Sequence, residues 1–423
     1  MEASDTRAPV IGRFQALRHR NFRLYWIGQL VSLVGTWMQS VAQGWLIHRL
    51  TDSSMMLGLL GFLQFLPVTV LSLWAGVVVD RFDKRKLLYV TQTAMLVQAV
   101  LMAAVVSAGV VRPWMVLTLA VGFGIANAFD LPARQSFIVE LVERKDLGNA
   151  IALNSAAFNT ARILGPALAG VLLATAGEAG CFWLNAVSFL AVLYSLTQLH
   201  LTRCANDPDR PASTMAEGVR YAWSVHPIRN LLVLLACTAG LAFQYMTLLP
   251  VYARNILNVD ARGYGLLVSA FGLGALMSAV RLTQKQDRWA LRRNLLIGLT
   301  SSGIGLAVFA WSRWLPPSLF SGFLAGFGLV LYVASTNTLL QITTEDRFRG
   351  RVMGLYTLMF VGTAPFGALI AGAVAQRWSA PIATSFSALV LLLGAIWISY
   401  RLRVLAAREA ITPPSPPVVE KLG

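Results

Sequence analysis

Charged side chains are scarce in this sequence. Asp, Glu, Lys and Arg together make up 13% of its 423 residues, whereas hydrophobic residues make up 56%. A soluble domain carries roughly 25% charged residues, so the composition indicates that most of the chain faces lipid or a membrane-embedded core. The net charge of +16 does not indicate nucleic-acid binding, because the Arg and Lys residues are spread over short loops between apolar runs.

Cysteines and catalytic motifs are sparse as well. The three cysteines, Cys181, Cys204 and Cys237, have no paired or metal-ligand spacing, so they imply neither a disulfide framework nor a metal site. The sequence contains no His-Glu-x-x-His, Gly-x-Ser-x-Gly or phosphate-binding loop motif, and its four histidines are scattered. We therefore expect no enzyme activity, no catalytic residue and no cofactor.

What the sequence does contain is twelve apolar runs, each long enough for the roughly 20 residues of a transmembrane helix. They cover residues 22–48, 55–79, 87–108, 113–133, 148–175, 179–200, 228–256, 263–284, 293–312, 315–341, 350–376 and 380–400. If both termini lie inside, 28 of the 35 Lys and Arg residues fall in cytoplasmic segments. Short basic loops are retained in the cytoplasm, so we predict twelve transmembrane helices with both termini cytoplasmic.

Polar segments divide the chain into five parts. We expect a cytoplasmic tail at 1–20, six helices at 21–200, a cytoplasmic linker at 201–226, six more helices at 227–403 and a disordered tail at 404–423. The second part of the linker, from Ser213, is typical of a short amphipathic helix on a membrane surface. The final tail contains a proline-rich stretch that favours an extended chain.

A charged turn separates the second and third runs. Among its residues are Gly76, Asp80, Arg81, Arg85 and Lys86. Gly76 would allow close helix approach, and Asp80 could accept from the free backbone donors of a helix N-terminus. The turn resembles the loop signature of the major facilitator superfamily, except that Asp83 replaces the usual second glycine. The resemblance implies a gating loop that works with a carboxylate of the fourth helix, here Asp130.

The chain repeats itself at an offset of 207 residues. Gly58 recurs as Gly265, Asp80-Arg81 as Asp287-Arg288, and Arg85-Lys86 as Arg292-Arg293. Three elements in register favour two six-helix halves in the same orientation, as in the major facilitator fold. We therefore predict an all-α membrane protein of twelve transmembrane helices in two pseudo-symmetric halves.

The stretch from the fourth to the fifth run carries the most specific part of the resemblance. Asp130-Leu-Pro-Ala-Arg134 leads towards Arg162-x-x-Gly165-Pro166-x-x-x-Gly170. This block is similar to the facilitator branch that contains the enterobactin exporter, macrolide efflux proteins and lysophospholipid carriers. Its Gly-Pro element is similar to the antiporter signature of drug-exporting facilitators. From the residues alone, a coupling role and a plain packing kink are both open.

A polar stripe runs along the first apolar run. Such a stripe lines either a cavity or another helix, because it cannot face lipid without cost. The resemblance implies that helices 1, 4, 7 and 10 surround a central cavity. On that basis the candidate cavity residues are Thr36, Gln39, Gln43, Asn127, Asn159, Gln244, Tyr245, Tyr332 and Asn337. A large, amphipathic and mostly uncharged cavity suits a bulky amphipathic solute, although ordinary hydrogen bonding between helices is an open alternative at each position.

Ionisable residues inside the apolar runs are few. Asp130 lies near the cytoplasmic end of the fourth run, and Arg162 is the one charge near mid-membrane, where it either serves transport or is satisfied by carbonyls and amides. No mid-membrane carboxylate presents itself as a proton carrier, so proton coupling is implied by the resemblance alone. We expect a secondary active transporter that exports a siderophore or drug by alternating access across the bacterial cytoplasmic membrane. The alternative is a lysophospholipid flippase. The expected partners are the solute, protons and membrane lipid.

Overall fold

The computed structural model describes residues 15–199, 215–242, 245–282 and 287–411. The first half begins with a short 3-10 helix at Gln15–Arg18 and continues with six long helices. These are α1 (Arg20–Thr51), α2 (Ser54–Arg81), α3 (Lys84–Ser107), α4 (Pro113–Leu141), α5 (Leu147–Thr175) and α6 (Gly177–Thr197). A second 3-10 helix, Arg144–Asp146, joins α4 to α5.

The second half is divided into shorter helices. It is preceded by α7 (Met215–Ser224) and contains α8 (His226–Leu241), α9 (Tyr245–Val251), a π-helical turn at Tyr252–Ile256, α10 (Ala261–Leu282), α11 (Arg288–Trp311), α12 (Leu315–Thr343), α13 (Asp346–Val361), α14 (Ala364–Arg377) and α15 (Ala380–Ile411). Two predicted spans are thus interrupted. The span 228–256 comprises α8, α9 and the π-helical turn, and the span 350–376 divides where Pro365 stands in the first turn of α14.

The last helix corrects a predicted boundary. We expected a disordered tail from residue 404, but α15 continues to Ile411. The stretch Leu402–Ala410 is rich in Leu, Ala, Arg and Glu, which all favour the helix, so propensity extends it beyond the membrane-length run. Residues 412–423 lie outside the described part of the chain.

Eleven segments of the described chain are long and apolar enough to cross a membrane. The eleven include the combined segments His226–Ile256 and Arg347–Arg377. The remaining long helix is α1, whose 32 residues are sufficient in length but carry the polar stripe. The prediction of an all-α membrane protein is confirmed.

Equivalent helices make equivalent contacts in the two halves. In the first half α2 packs against α4, and α3 packs against α4 and α6. In the second half α10 packs against α12, and α11 packs against α12 and α15. Two large contacts connect the halves, α2 with α14 and α5 with α10.

The apolar core shows where the halves meet. We call the end that carries residues 81–86 the basic end and the other the opposite end. Near the basic end, one cluster contains only first-half residues, among them Phe22, Leu88 and Phe137. Towards the opposite end, first-half residues such as Leu46 share one core with second-half residues such as Leu249. The halves are therefore joined mainly towards the opposite end.

The amphipathic helix expected in the linker corresponds to α7, which lies against α13. Tyr221 stacks on Phe348 with ring centroids 4.1 Å apart, and Arg351 Nη1 donates to Glu217 Oε2 at 2.9 Å. These contacts tie the linker to the start of the eleventh span.

Candidate functional site

A polar network joins the halves at the opposite end. Asn255 Nδ2 donates to Asp52 Oδ1 at 3.0 Å, so the amide oxygen of Asn255 faces His48, whose Nε2 lies 2.7 Å away. Because that oxygen can only accept, His48 Nε2 carries the hydrogen. Ser53 Oγ donates to Gln376 Oε1 at 3.0 Å. We refer to these five residues as the closed end.

Two glycine pairs bring the backbones of the halves into contact beside this network. A Cβ added at Gly58 would lie 2.9 Å from Gly372 Cα, and one added at Gly265 would lie 2.1 Å from Gly170 Cα. Both distances are too short for real Cβ atoms, so each crossing depends on the absence of a side chain. The predicted repeat pair, Gly58 and Gly265, therefore occupies equivalent contacts between the halves.

Arg162 lies on α5 between the basic end and one of these crossings. It precedes Gly170 by eight residues, about 12 Å at 1.5 Å per residue. Its side chain is half-buried and interacts electrostatically with Tyr245 of α9, in the other half. The Tyr245 ring is buried and stacks on Phe271 with centroids 4.8 Å apart. The charge thus faces a fixed aromatic residue across the boundary between the halves.

The other residues of the antiporter-like motif pack against different helices. Gly165 lies against α1, since a Cβ there would come within 2.7 Å of Val34 O. Gly170 lies against α10 of the other half, as described above. Pro166 is buried inside α5. The motif therefore packs α5 against both halves, with Gly165 facing its own half and Gly170 facing the second half.

The polar stripe of α1 contributes mainly to contacts within the first half. Gln39 Nε2 donates to Gln98 Oε1 at 2.9 Å, and Asn185 Nδ2 donates to Gln39 Oε1 at 2.7 Å. Gln43 is buried and donates to Val116 O. For Gln39 and Gln43, the structure therefore corrects the cavity assignment to hydrogen bonding between helices. The physical reason is that α3 and α6 carry matching amides for Gln39, and α4 offers a backbone carbonyl to Gln43.

The remaining candidate cavity residues differ in exposure. Tyr332 is fully buried and shares a hydrogen bond of 2.9 Å with Thr238, which corrects its cavity assignment as well. Thr36, Asn127 and Asn337 are half-buried, so the structure leaves part of each accessible. Gln244 and the side chain of Asn159 lie outside the described residues.

The charged loop is organised by Asp83. Its carboxylate accepts from Lys86 N at 3.0 Å and caps α3. Lys84 pairs with Glu140 of α4, and Arg85 Nη2 donates to Thr197 O of α6 at 3.2 Å. The side chains of Arg81 and Lys86 are exposed, and that of Asp80 is not described. The described contacts of the loop thus remain inside the first half.

Two expectations about this loop need correction. Gly76 is not at a close helix approach in the described part of the chain, because a Cβ there would meet none of its atoms within 4 Å. The repeat also changes register here, since Asp287 accepts from Ala290 N at 2.6 Å and caps α11 as Asp83 caps α3. Asp287 is therefore the structural equivalent of Asp83 and not of Asp80. The N-cap positions pair Asp287 with Asp83, whereas the offset of 207 residues had paired it with Asp80, three residues earlier.

Asp130 is fully buried in the first half. Its Oδ1 accepts from Thr91 Oγ1 at 2.8 Å and from Gln92 Nε2 at 2.7 Å, and its Oδ2 forms an ion pair with Arg134. We expect Asp130 to act with the charged loop where the halves close at the basic end, and this stays a prediction for the outward-open state. In the present conformation Asp130 joins α4 to α3, because its hydrogen-bond donors lie on α3.

Glu143, in the connection after α4, is fully exposed. The pKa of its carboxylate is lowered because Lys145 donates a hydrogen bond to it, and the pKa of Lys145 is raised for the same reason. This pair lies at the basic end, far along the chain from the closed end.

Sequence reasoning missed the closed end, although the repeat contained a signal for it. His48 and Asn255 are separated by 207 residues, the same offset as Gly58 and Gly265. Residues that are equivalent in two symmetric halves contact each other only near the symmetry axis. The axis relating the halves therefore passes close to the hydrogen bond between His48 and Asn255.

Comparisons with known proteins agree with this fold. The family model described as transmembrane secretion effector matches residues 11–422. The multidrug efflux pump Tap of Mycolicibacterium fortuitum is 27% identical over 384 residues, which cover 87% of this chain and 92% of the relative. The enterobactin exporter EntS of Citrobacter koseri is 26% identical over 374 residues, which cover 87% of this chain and 88% of the relative.

A solved structure shares the architecture. It is a bacterial homologue of the human lysosomal transporter Spinster in an inward-facing and unoccupied conformation, with a TM-score of 0.73. The match covers 90% of this chain and 95% of the homologue, at 13% identity. At that identity the likeness concerns the fold alone.

Proposed function

Because this chain belongs to the transmembrane secretion effector family, within the major facilitator superfamily, we propose that it exports a bulky amphipathic solute, a siderophore or a drug, across the cytoplasmic membrane. The family and the relatives are membrane transporters and not enzymes. The names of two relatives, a multidrug efflux pump and an enterobactin exporter, support solutes of these classes.

Export would proceed by alternating access of two six-helix halves, the segments 21–200 and 227–403. The basic end would face the cytoplasm, since short basic loops are retained there. The present conformation, joined mainly towards the opposite end, would then be the one that accepts solute from inside. Coupling to proton entry is part of the proposal and is supported by the family resemblance.

The observation that carries the proposal is the position of Arg162. It lies beneath the crossing of Gly170 with Gly265, on the side towards the basic end, where a solute entering from that end would stop. A guanidinium is planar and can bind a carboxylate or catecholate oxygen pair with two parallel hydrogen bonds. We therefore propose an anionic or catechol-bearing solute.

Separate measurements of binding and export test this proposal. We would compare the wild type with Arg162→Ala and Arg162→Lys, using a catecholate siderophore, a cationic dye and a lysophospholipid as ligands of the purified protein. Loss of a charge-assisted hydrogen bond costs about 1.5–3 kcal/mol, so Arg162→Ala should weaken siderophore binding by roughly 10- to 100-fold. Arg162→Lys should rescue binding poorly, because a point charge cannot replace the planar fork.

Arg112→Ala is the matched control, since Arg112 is exposed at the opposite end. It should leave binding and export in a knockout strain unchanged. Normal export by Arg162→Ala would remove the residue from the mechanism. Preferential binding of the lysophospholipid would favour the flippase instead.

A further inference from the structure

The imidazole of His48 is buried at the boundary between the halves, with 1% of its surface exposed. Its Nε2–H donates to Asn255, as the amide orientation requires. Its other nitrogen, Nδ1, is buried and has no hydrogen-bond partner among the described residues. The closed end therefore holds the neutral ring, with one nitrogen that is free to take up a proton.

The charges around His48 do not neutralise an added proton. Asp52 lies 3.7 Å from Nε2, but its side chain is 66% exposed and already accepts from Asn255. Arg254, from the π-helical turn, is exposed as well, and its repulsion is weaker than the attraction of Asp52, so burial is the main cost of protonating His48. Arg49, the next residue of α1, is directed to Glu178 of α6 at 2.6 Å. Water screens the exposed carboxylate, whereas a protonated ring at this buried position would have no water to hydrate its charge.

The partner of His48 lies in an unusual backbone segment. Asn255 belongs to the π-helical turn Tyr252–Ile256, which follows Pro250 and precedes Asn258, a residue with a φ of 52°. Single π-helical turns occur frequently at functional sites. Here the turn presents Asn255 to the only imidazole that the described residues place between the halves.

We propose that His48 is a proton-binding site, and that a proton taken up from the opposite side of the membrane releases the closed end. When the halves separate at that end, His48 meets water, where an imidazole titrates near pH 6.5. Protonation stabilises the separated state, since re-forming the closed end would bury the cation away from water. Closure is thus favoured above about pH 6.5 and is lost progressively below it, by up to about tenfold in the population ratio per pH unit.

This inference rests on the proposed alternation of the halves, but its test needs no solute. Spin labels would be attached to cysteines introduced at Val110 and Trp314, which are exposed residues of the two halves at the opposite end, in a background without native cysteines. The distance between the two spin labels would be measured by electron–electron double resonance in nanodiscs from pH 8 to pH 5. In the wild type, the long distance should gain population at the expense of the short one as the pH falls below about 6.5.

Three variants make the result specific. His48→Gln keeps a donor towards Asn255 but cannot take up a proton, so the short distance should persist at pH 5. Asn255→Asp supplies a carboxylate to a protonated ring, so it should also keep the closed end at pH 5. His19→Gln is the control, because His19 bonds Asp146 at 2.7 Å at the basic end, and it should respond as the wild type does.

A wild type without a pH response would overturn the proposal, as would a normal response in His48→Gln. Failure of every solute to bind would instead refute the proposed export function and leave the distance result unaffected.

Discussion

Asp130 shows what one buried carboxylate does in this protein. It receives two hydrogen bonds from α3 and forms an ion pair with Arg134, whose side chain is 14% exposed. Removing one member of such a pair leaves the other charge uncompensated in a medium of low polarity. Asp130 is therefore expected to stabilise the first half, whatever its part in transport.

We predict that Asp130→Asn lowers the free energy of unfolding by about 2 kcal/mol, less than the 3–5 kcal/mol of fully buried pairs because Arg134 is partly exposed. Unfolding in a mild detergent titrated with a denaturing one would measure the change. Lys145→Ala, which breaks an exposed pair with Glu143, should leave the unfolding midpoint where it is. Equal stability of Asp130→Asn and the wild type would show that the buried pair is dispensable.

At the scale of elements, the start of α3 and the start of α11 are built alike. Asp83 and Asp287 each accept a hydrogen bond from the backbone of the following turn. The cap satisfies a donor that a helix leaves free at its N-terminus. The two loops thus share an N-cap, whereas the residue that this register aligns with Asp80 is Gln284, which is not acidic.

We predict that Asp83→Ala and Asp287→Ala each destabilise the protein by about 1 kcal/mol, the usual value of an N-cap. Asp80→Asn should instead abolish transport and leave expression and solute binding largely intact. Thermal unfolding and export assays on the three variants separate the two roles. If Asp80→Asn exports at the wild-type rate, the charged loop has no gating role and its charges serve only to orient the protein in the membrane.

The sequence predicted helices and repeat better than it predicted contacts. Apolar runs locate helices because a membrane requires about 20 apolar residues, and Gly58 and Gly265 were identified as equivalent. The pattern of Gln39 and Gln43 revealed a polar stripe, but helical periodicity does not state which neighbour the stripe faces. The hydrogen bond of His48 with Asn255 depends on a π-helical turn. The residues at 252–256 contain no pattern that predicts such a turn.

At the scale of the whole molecule, the glycine crossings determine whether the halves can meet. A methyl group at residue 265 would lie 2.1 Å from Gly170 Cα, and neither backbone can yield without separating the helices. The same crossing formed by Gly58 and Gly372 lies on the other side of the axis. Closure at the opposite end therefore requires both pairs at once.

We predict that Gly265→Ala keeps the spin labels at residues 110 and 314 far apart at every pH and reduces export to near background. Gly122→Ala is the control, because a Cβ at that exposed helical glycine would meet no atom within 4 Å. It should preserve both the short distance and export. A short distance in Gly265→Ala would mean that the helices can adjust to the added methyl group.

Orientation is also a property of the whole molecule. Single cysteines at Arg112 and Arg313, at the opposite end, should react with an impermeant thiol reagent added to intact cells. A cysteine at Lys145, at the basic end, should react only after the membrane is made permeable. Labelling of the cysteine at residue 145 in intact cells would contradict the proposed topology.

The contact of His48 with Asn255 also bears on ancestry. Two identical six-helix units paired about a two-fold axis must place the same side chain on both sides of that axis. Such a pair of units could present two histidines there, or two asparagines, but never one of each. A ring that titrates opposite an amide that does not therefore requires two units whose sequences can differ, as the two halves of this chain do.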